Sequence, residues 1–359
     1  MGSERRLRPE SIPEPGEAQG AAGEVCPDMS AAMILSCGAC GQSYAIPVGC
    51  GRLRCASCAP DIASKRAERK FNLFGGDGVP LGCWVFTLPR QIGQAVGVNG
   101  ARELRRRVAA FIELYYRVRW GVITGSVIAV HPESDHEGRK GQWRPHFHVI
   151  VPLLGLEVSA GLKAAPSYLA AGEMERVKTA WAMELGRAIV ELKISEDVRV
   201  NLHYKYLQGG EVSDTAPTKK RARALEKARI AKLHRLRYDL RPFPEWSAGE
   251  LGKTRLLSPS SYGLLSGRAD KTVGEARLAD LAQWREVTQG PELEQPVSRC
   301  TAQVDGGACG CELEPLGVAV GCRWRIEERY PGVIWRVGTL GDEEDRSRRR
   351  GDTGPCSSA

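Results

Sequence analysis

The chain is 359 residues long and carries 51 Lys and Arg against 43 Asp and Glu, a net charge of +8, with 12 cysteines. That length supports one sizeable core with accessory modules, two or three units in all. No apolar run approaches the roughly 20 residues of a membrane span. The start, Met1 to Arg8 followed by Pro, Glu and Gly, lacks the apolar core of a signal peptide, so a cytoplasmic protein with no membrane partner is expected.

Residues 1–33 are rich in Pro, Gly, Glu and Ala and read as a disordered tail. Cys37-Gly38-Ala39-Cys40 and Cys55-Ala56-Ser57-Cys58 follow as two Cys-x-x-Cys turns, with Cys50 between them. Without a secretion signal such cysteines are metal ligands rather than disulfides. Each turn offers two thiolates to one ion, and two turns complete a tetrahedron. Residues 34–72 are therefore expected to fold around one structural Zn²⁺ held by four of Cys37, Cys40, Cys50, Cys55 and Cys58.

Cys83-Trp84-Val85-Phe86-Thr87-Leu88-Pro89 reads as a strand, and 101–120 as a helix whose Leu104, Val108, Phe111, Leu114 and Tyr115 recur at helical spacing. Strands at 122–131 and 145–152 flank a polar loop, 132–142. In an extended chain alternate side chains share a face, so His146 and His148 point one way while Phe147 and Val149 turn toward a core. Two imidazoles on one face can grip one divalent ion. His131 is the candidate third ligand, with Glu133 and His136 as alternatives.

A helix over 172–190, with Met174, Val177, Trp181, Leu185 and Ile189 on one face, leads to a strand near 198–202 and the run His203-Tyr204-Lys205-Tyr206. Two basic stretches, Arg102 to Arg107 and Lys219 to Arg229 continuing through Lys232, Arg235, Arg237 and Arg241, can neutralise nucleic-acid phosphates. Cys300, Cys309, Cys311 and Cys322 form a less specific second zinc candidate, and Cys83 reads as a small core residue. Val318 to Val320 and Val333 to Val337 read as a hairpin. The expected organisation is α+β: an antiparallel sheet over 80–212 with helices on one face and a metal cleft on the other, a basic helical region over 213–290, a cysteine-containing module over 295–340 and a disordered tail over 341–359.

Trp143-Arg144-Pro145-His146-Phe147-His148-Val149-Ile150-Val151 resembles the metal strand of the HUH endonucleases, in which two histidines flank one bulky apolar residue. Cys83 to Pro89 resembles the first core strand of that superfamily and Lys205-Tyr206 its nucleophile segment, a likeness covering about residues 37–210. It is greatest toward single-tyrosine rolling-circle replication initiators of plasmids and phages. The resemblance implies that Tyr206, with Tyr204 as the alternative, attacks a phosphate of single-stranded origin DNA and stays joined to the 5′ end. Lys205 would help expose the phenolate or bind phosphate, Mn²⁺ or Mg²⁺ would sit on His146, His148 and His131, and a host helicase and polymerase would be partners. Rolling-circle transposases are the runner-up: they share the cysteine cluster and often a histidine where His131 stands, but carry tyrosines four residues apart rather than two. A non-catalytic zinc-containing DNA-binding regulator is the reading from a different class. No Gly-x-x-x-x-Gly-Lys-Ser/Thr loop is present, as strand exchange between phosphodiesters needs no external energy source.

Overall fold

The computed structural model describes residues 14–17, 31–134 apart from 75 and 77, 140–191, 202–207, 218–288, 300, 303–304, 307–320, 325–329 and 335–338. The first elements are β1 (Ala31–Cys37), β2 (Ser43–Val48), α1 (Ala59–Leu73), β3 (Leu81–Thr87), α2 (Arg90–Ala95) and α3 (Val98–Trp120). Next come β4 (Val122–Ile123), β5 (Gly125–Glu133), β6 (Trp143–Pro152), β7 (Leu154–Glu157), β8 (Leu162–Ala164), α4 (Ala171–Glu191) and β9 (Leu202–Leu207). They are followed by α5 (Thr218–Asp239), α6 (Pro244–Ala248), β10 (Ser260–Gly263), α7 (Ala269–Val273) and α8 (Leu278–Thr288). The last are β11 (Gln303–Val304), β12 (Gly307–Ala308), β13 (Leu313–Val320), β14 (Arg325–Arg329) and β15 (Trp335–Gly338).

The chain divides into two compact units, one of Met1–Ala18 with Ala59–Leu293, the other of Gln19–Cys58 with Glu294–Ala359. This division differs from the expected one. Helix α1 leaves the cysteine turns and joins the larger unit, because its buried stripe of Ala63, Ala67 and Phe71 needs an apolar partner. The region 213–290 likewise belongs to that unit.

The larger unit is built on a five-stranded antiparallel sheet in the order β10-β5-β6-β3-β9. Strand β6 is central and almost wholly buried, in keeping with the apolar run Val149-Ile150-Val151-Pro152 that ends it. On one face Trp84, Phe86, Ile128, Val130, Phe147, Val149 and Val151 pack with Leu104, Val108 and Ile112 of α3 and Val177, Trp181 and Leu185 of α4. The other face carries Cys83, Val127, Ala129 and Ile150, which pack with Ala67 and Phe71 of α1, Leu236 and Leu240 of α5, and Leu281 and Trp284 of α8. Helices thus cover both faces, and the expectation of helices on one face alone is corrected. Apolar residues at both parities of β5 and β6 leave neither face suited to water.

In α3 Leu104 and Val108 are buried as expected and Phe111 and Tyr115 pack partly buried against the core, but Leu114 is 60% exposed, because the buried stripe continues through Ile112 and Tyr116; Gly121 ends the helix. Its φ of 65° lets its N–H reach back to the Tyr116 and Arg117 carbonyls without a Cβ penalty.

The smaller unit contains the five-stranded sheet β13-β1-β2-β15-β14. Val318 to Val320 pair with Ala31 to Met33 of β1, while β15 pairs with β14 and β2. The expected hairpin between 318–320 and 333–337 is therefore replaced by a sheet that interleaves both ends of the chain. Among the described residues no helix is long and apolar enough to cross a membrane.

Candidate metal centres

In the β5–β6 ladder His131 lies opposite His146 and Ala129 opposite His148. Directly opposed residues of an antiparallel pair share a face, so all three imidazoles stand on the α5 side of the sheet. They are buried, at 0%, 6% and 1% relative exposure for His131, His146 and His148. Candidate ligand atoms of the three lie within 4.8 Å of one another. The His131 and His148 rings stack with centroids 3.8 Å apart, and His146 stands 5.1 Å from each.

Helix α5 delivers Asp239 behind this cluster. His148 Nδ1 donates to the Asp239 carboxylate at 2.6 Å, and His131 Nε2 donates to the Asp239 backbone carbonyl at 2.9 Å. Both acceptors lack a proton, so each bond fixes its tautomer and leaves the opposite ring nitrogen, His148 Nε2 and His131 Nδ1, as a lone pair. Neither of these buried atoms has a hydrogen-bond partner. An unpaired buried polar atom costs about 1–3 kcal/mol, an expense that a bound cation would offset. Burial, with His148 and Arg241 adding to it, holds His131 well below the usual imidazole range. Burial also lowers His148, against the opposing pull of Asp239. Both rings are thereby kept neutral, the form that binds metals.

The three nitrogens fit a transition metal, and a carboxylate behind a ligating histidine is the usual supporting partner. Hard Mg²⁺ prefers oxygen donors, so three imidazole nitrogens do not suit it. Glu133 is not one of the ligands: its carboxylate accepts from the Gly141 N–H at 2.6 Å and Trp246 Nε1 at 3.0 Å, clamping the loop after β5. His136 lies outside the described residues.

The β9 register places Lys205 opposite Cys83 and His203 opposite Val85, and Val85 in turn lies opposite His148. Tyr204 and Tyr206 lie opposite Trp84 and Gly82, positions paired with Val149 and Val151. The backbone therefore sets His203 and Lys205 in the rows of the metal strand's histidine parity, and both tyrosines in the alternate rows. The side chains of 202–207 lie outside the described residues.

A different tyrosine adjoins the cluster. Tyr238, next to Asp239 in the last turn of α5, has its ring 5.8 Å from that of His148 and 6.0 Å from that of His131. It is 36% exposed, and the Arg241 guanidinium lies 4.1 Å from its centroid and 4.8 Å from that of Phe243. Phe243 packs on His131 at 4.9 Å. In the sequence Tyr238 lies inside a basic run, where its adjacency to an acid shortly before Arg241 is the one local feature that marks it.

Lys232 and Arg235 of that basic run are structural. Lys232 is buried and donates to the Gly76 and Val79 carbonyls at 3.0 and 2.8 Å. Arg235 bonds Asp239 at 2.8 Å. In the first run Arg105 is buried against the Leu256 and Ser258 carbonyls, and Arg107 reaches Glu184 at 3.0 Å. Arg223, Lys227 and Arg237 stay exposed on α5.

The cysteines fall into two groups in the smaller unit, Cys37 with Cys40, Cys300 and Cys309, and Cys50 with Cys55 and Cys58. The single centre expected from both N-terminal turns is thus corrected: the turns separate, and the first meets cysteines from the far end of the chain. Of the later candidates, Cys311 is exposed and outside the group, while Cys322 lies outside the described residues. Cys83 is buried in the core of the larger unit. The chain matches no family model, no curated protein and no solved structure.

Proposed function

We propose that this protein nicks and rejoins one strand of DNA through a tyrosyl intermediate at a histidine-bound divalent metal, as a rolling-circle replication initiator. The observation that carries the reading is the pair of unpartnered nitrogens on His131 and His148, held by Asp239 in one cluster with His146. A phosphodiester repels nucleophiles by its charge, and a divalent ion, Mn²⁺ before Mg²⁺, supplies the positive charge that offsets it. His131, His146 and His148 would hold that ion, and Asp239 would orient two of them. A phenol oxygen attacks phosphorus, the bond from phosphorus to the 3′ oxygen breaks, and the proton lost by the phenol is matched by one gained at the new 3′ hydroxyl. The product phosphodiester to tyrosine conserves the energy needed for rejoining.

Resemblance nominates Tyr206 as nucleophile, whereas proximity of described side chains favours Tyr238. Arg241 beside Tyr238 would stabilise a phenolate and meet phosphate. Exposed Arg223, Lys227 and Arg237 on the same helix would meet the DNA backbone. A transposase acting on element ends by the same chemistry is the alternative, favoured specifically by a histidine at position 131.

The test is incubation with Mn²⁺ and single-stranded oligonucleotides tiled across the DNA flanking the gene, followed by a denaturing gel. A protein-linked downstream fragment that disappears in His146→Ala/His148→Ala supports the reading. A band shift without cleavage assigns the chain to the regulators, and cleavage surviving in the double variant removes the metal site from the chemistry. Cutting at a replication origin indicates the initiator; cutting at element termini indicates the transposase.

A further inference from the structure

We infer that the smaller unit holds two separate thiolate metal centres, and that one of them, a four-cysteine zinc centre of Cys37, Cys40, Cys300 and Cys309, ties the two ends of the chain together. The Cys37 and Cys309 sulfurs are 3.6 Å apart and those of Cys40 and Cys300 3.5 Å, while Cys50 and Cys58 are 3.7 Å apart. Four sulfurs about 2.3 Å from a tetrahedral Zn²⁺ stand about 3.8 Å from one another. A disulfide would need roughly 2.05 Å, so at these separations none of the three pairs is disulfide-bonded.

The backbone around the sulfurs is shaped for the same task. Gly41, Gly51 and Gly310 each follow a cysteine directly, after Cys40, Cys50 and Cys309, and each has positive φ, at 70°, 64° and 65°. That conformation turns the chain back under the sulfur so that amide N–H groups can face a thiolate, and glycine adopts it without strain. At the first turn the Gly41 N–H closes on the Cys37 carbonyl at 2.8 Å and the Cys37 N–H on the Gln42 carbonyl at 2.9 Å. At the distal turn the Gly310 N–H bonds the Cys300 carbonyl at 3.0 Å. Behind the first centre the buried Tyr44 hydroxyl lies 3.1 Å from Cys300 Sγ, a support for a ligating sulfur.

The first turn caps the β1–β2 hairpin, and β13, which follows the distal turn, pairs with β1 from Cys37 opposite Leu313 to Ala31 opposite Val320. Metal and ladder thus close the same connection between chain ends. Cys50, Cys55 and Cys58 form the second centre, whose three thiolates leave one position on a tetrahedral ion for a further donor.

The full-length protein, purified with zinc, is assayed by elemental analysis against its Cys→Ser variants. Cys300→Ser and Cys309→Ser are expected to lose one equivalent relative to the parent, Cys55→Ser and Cys58→Ser a different one, and Cys300→Ser/Cys55→Ser both. Because loss relative to the parent is read, zinc in the histidine cluster does not enter the count. Loss of the same single equivalent by Cys37→Ser and Cys55→Ser, with Cys300→Ser indifferent, would overturn the inference in favour of one centre shared by the two N-terminal turns. Since a variant can fail to fold, ¹¹³Cd NMR of the cadmium-exchanged parent gives a second reading: two resonances in the thiolate region support two centres, whereas one or none refutes them. Thiol titration that finds Cys37, Cys40, Cys300 and Cys309 oxidised in the native protein would also overturn it.

Discussion

His148 Nδ1 donates a hydrogen bond to the Asp239 carboxylate at 2.6 Å, across 91 residues of sequence and from a strand to a helix end. The same carboxylate accepts from Arg235 at 2.8 Å, and the Asp239 backbone carbonyl holds His131. One residue therefore sets the tautomers of two rings, and the metal affinity of the cluster should depend on it.

Asp239→Ala is expected to weaken Mn²⁺ binding by about 10–100-fold, the usual cost of losing a partner behind a ligating histidine. Asp239→Asn, which can keep one acceptor, should lose less. Calorimetric titration with Mn²⁺ checks this, and unchanged affinity in the alanine variant would separate Asp239 from the site.

The metal-free protein should lose stability as pH falls below about 6.5, the ordinary imidazole value. His131 and His148 are both lowered in the folded state, so the unfolded chain takes up their protons first. Stability then declines by up to about 1.4 kcal/mol per pH unit for each ring, until the folded rings titrate, and is insensitive to them above pH 7. Urea midpoints at pH 7.5 and 5.5 read the effect, which should shrink in His131→Gln. Equal slopes in parent and variant would show that burial of this ring carries no protonation cost.

Tyr238→Phe and Tyr206→Phe separate the two nucleophile candidates. Proximity to the histidines predicts that the Tyr238 variant loses the DNA adduct while still binding DNA, and that peptide mass analysis of the parent finds the nucleotide on the peptide with Tyr238. An adduct on Tyr206 would show that β9 engages DNA in a register other than the one described here.

Lys232→Met should destabilise the fold by about 1–3 kcal/mol, because it strips the Gly76 and Val79 carbonyls of their donor. It should leave the salt dependence of DNA binding unchanged. Arg223→Ala should do the reverse, lowering the slope by about one phosphate contact with little effect on stability. Denaturant titration and binding across a salt series check both.

Periodicity made α3 and α4 readable, since buried residues must recur along one helix face whatever the helix packs on. Alternation made the common face of His146 and His148 readable for the same reason, and the antiparallel pairing of β5 with β6 brings His131 to them. The layering was harder. Apolar residues at both parities of β6 were in plain view, yet only packing shows that α1, α5 and α8 supply the second cover. Charge in a sequence likewise does not reveal that Lys232 of α5 is engaged by the buried Gly76 and Val79 carbonyls.

The sequence by itself determined which atoms could bind metal: imidazoles of one strand parity and thiols in tight glycine-flanked turns, both set by local backbone geometry. Tertiary structure alone decided how they combine. Cys37 meets Cys309 across 272 residues, and Asp239 with Tyr238 reaches the histidines only when α5 docks on the sheet. Local geometry repeats with a short period and can be read along the chain. Long-range partnership follows from which apolar faces bury each other, and is settled only when the whole core closes.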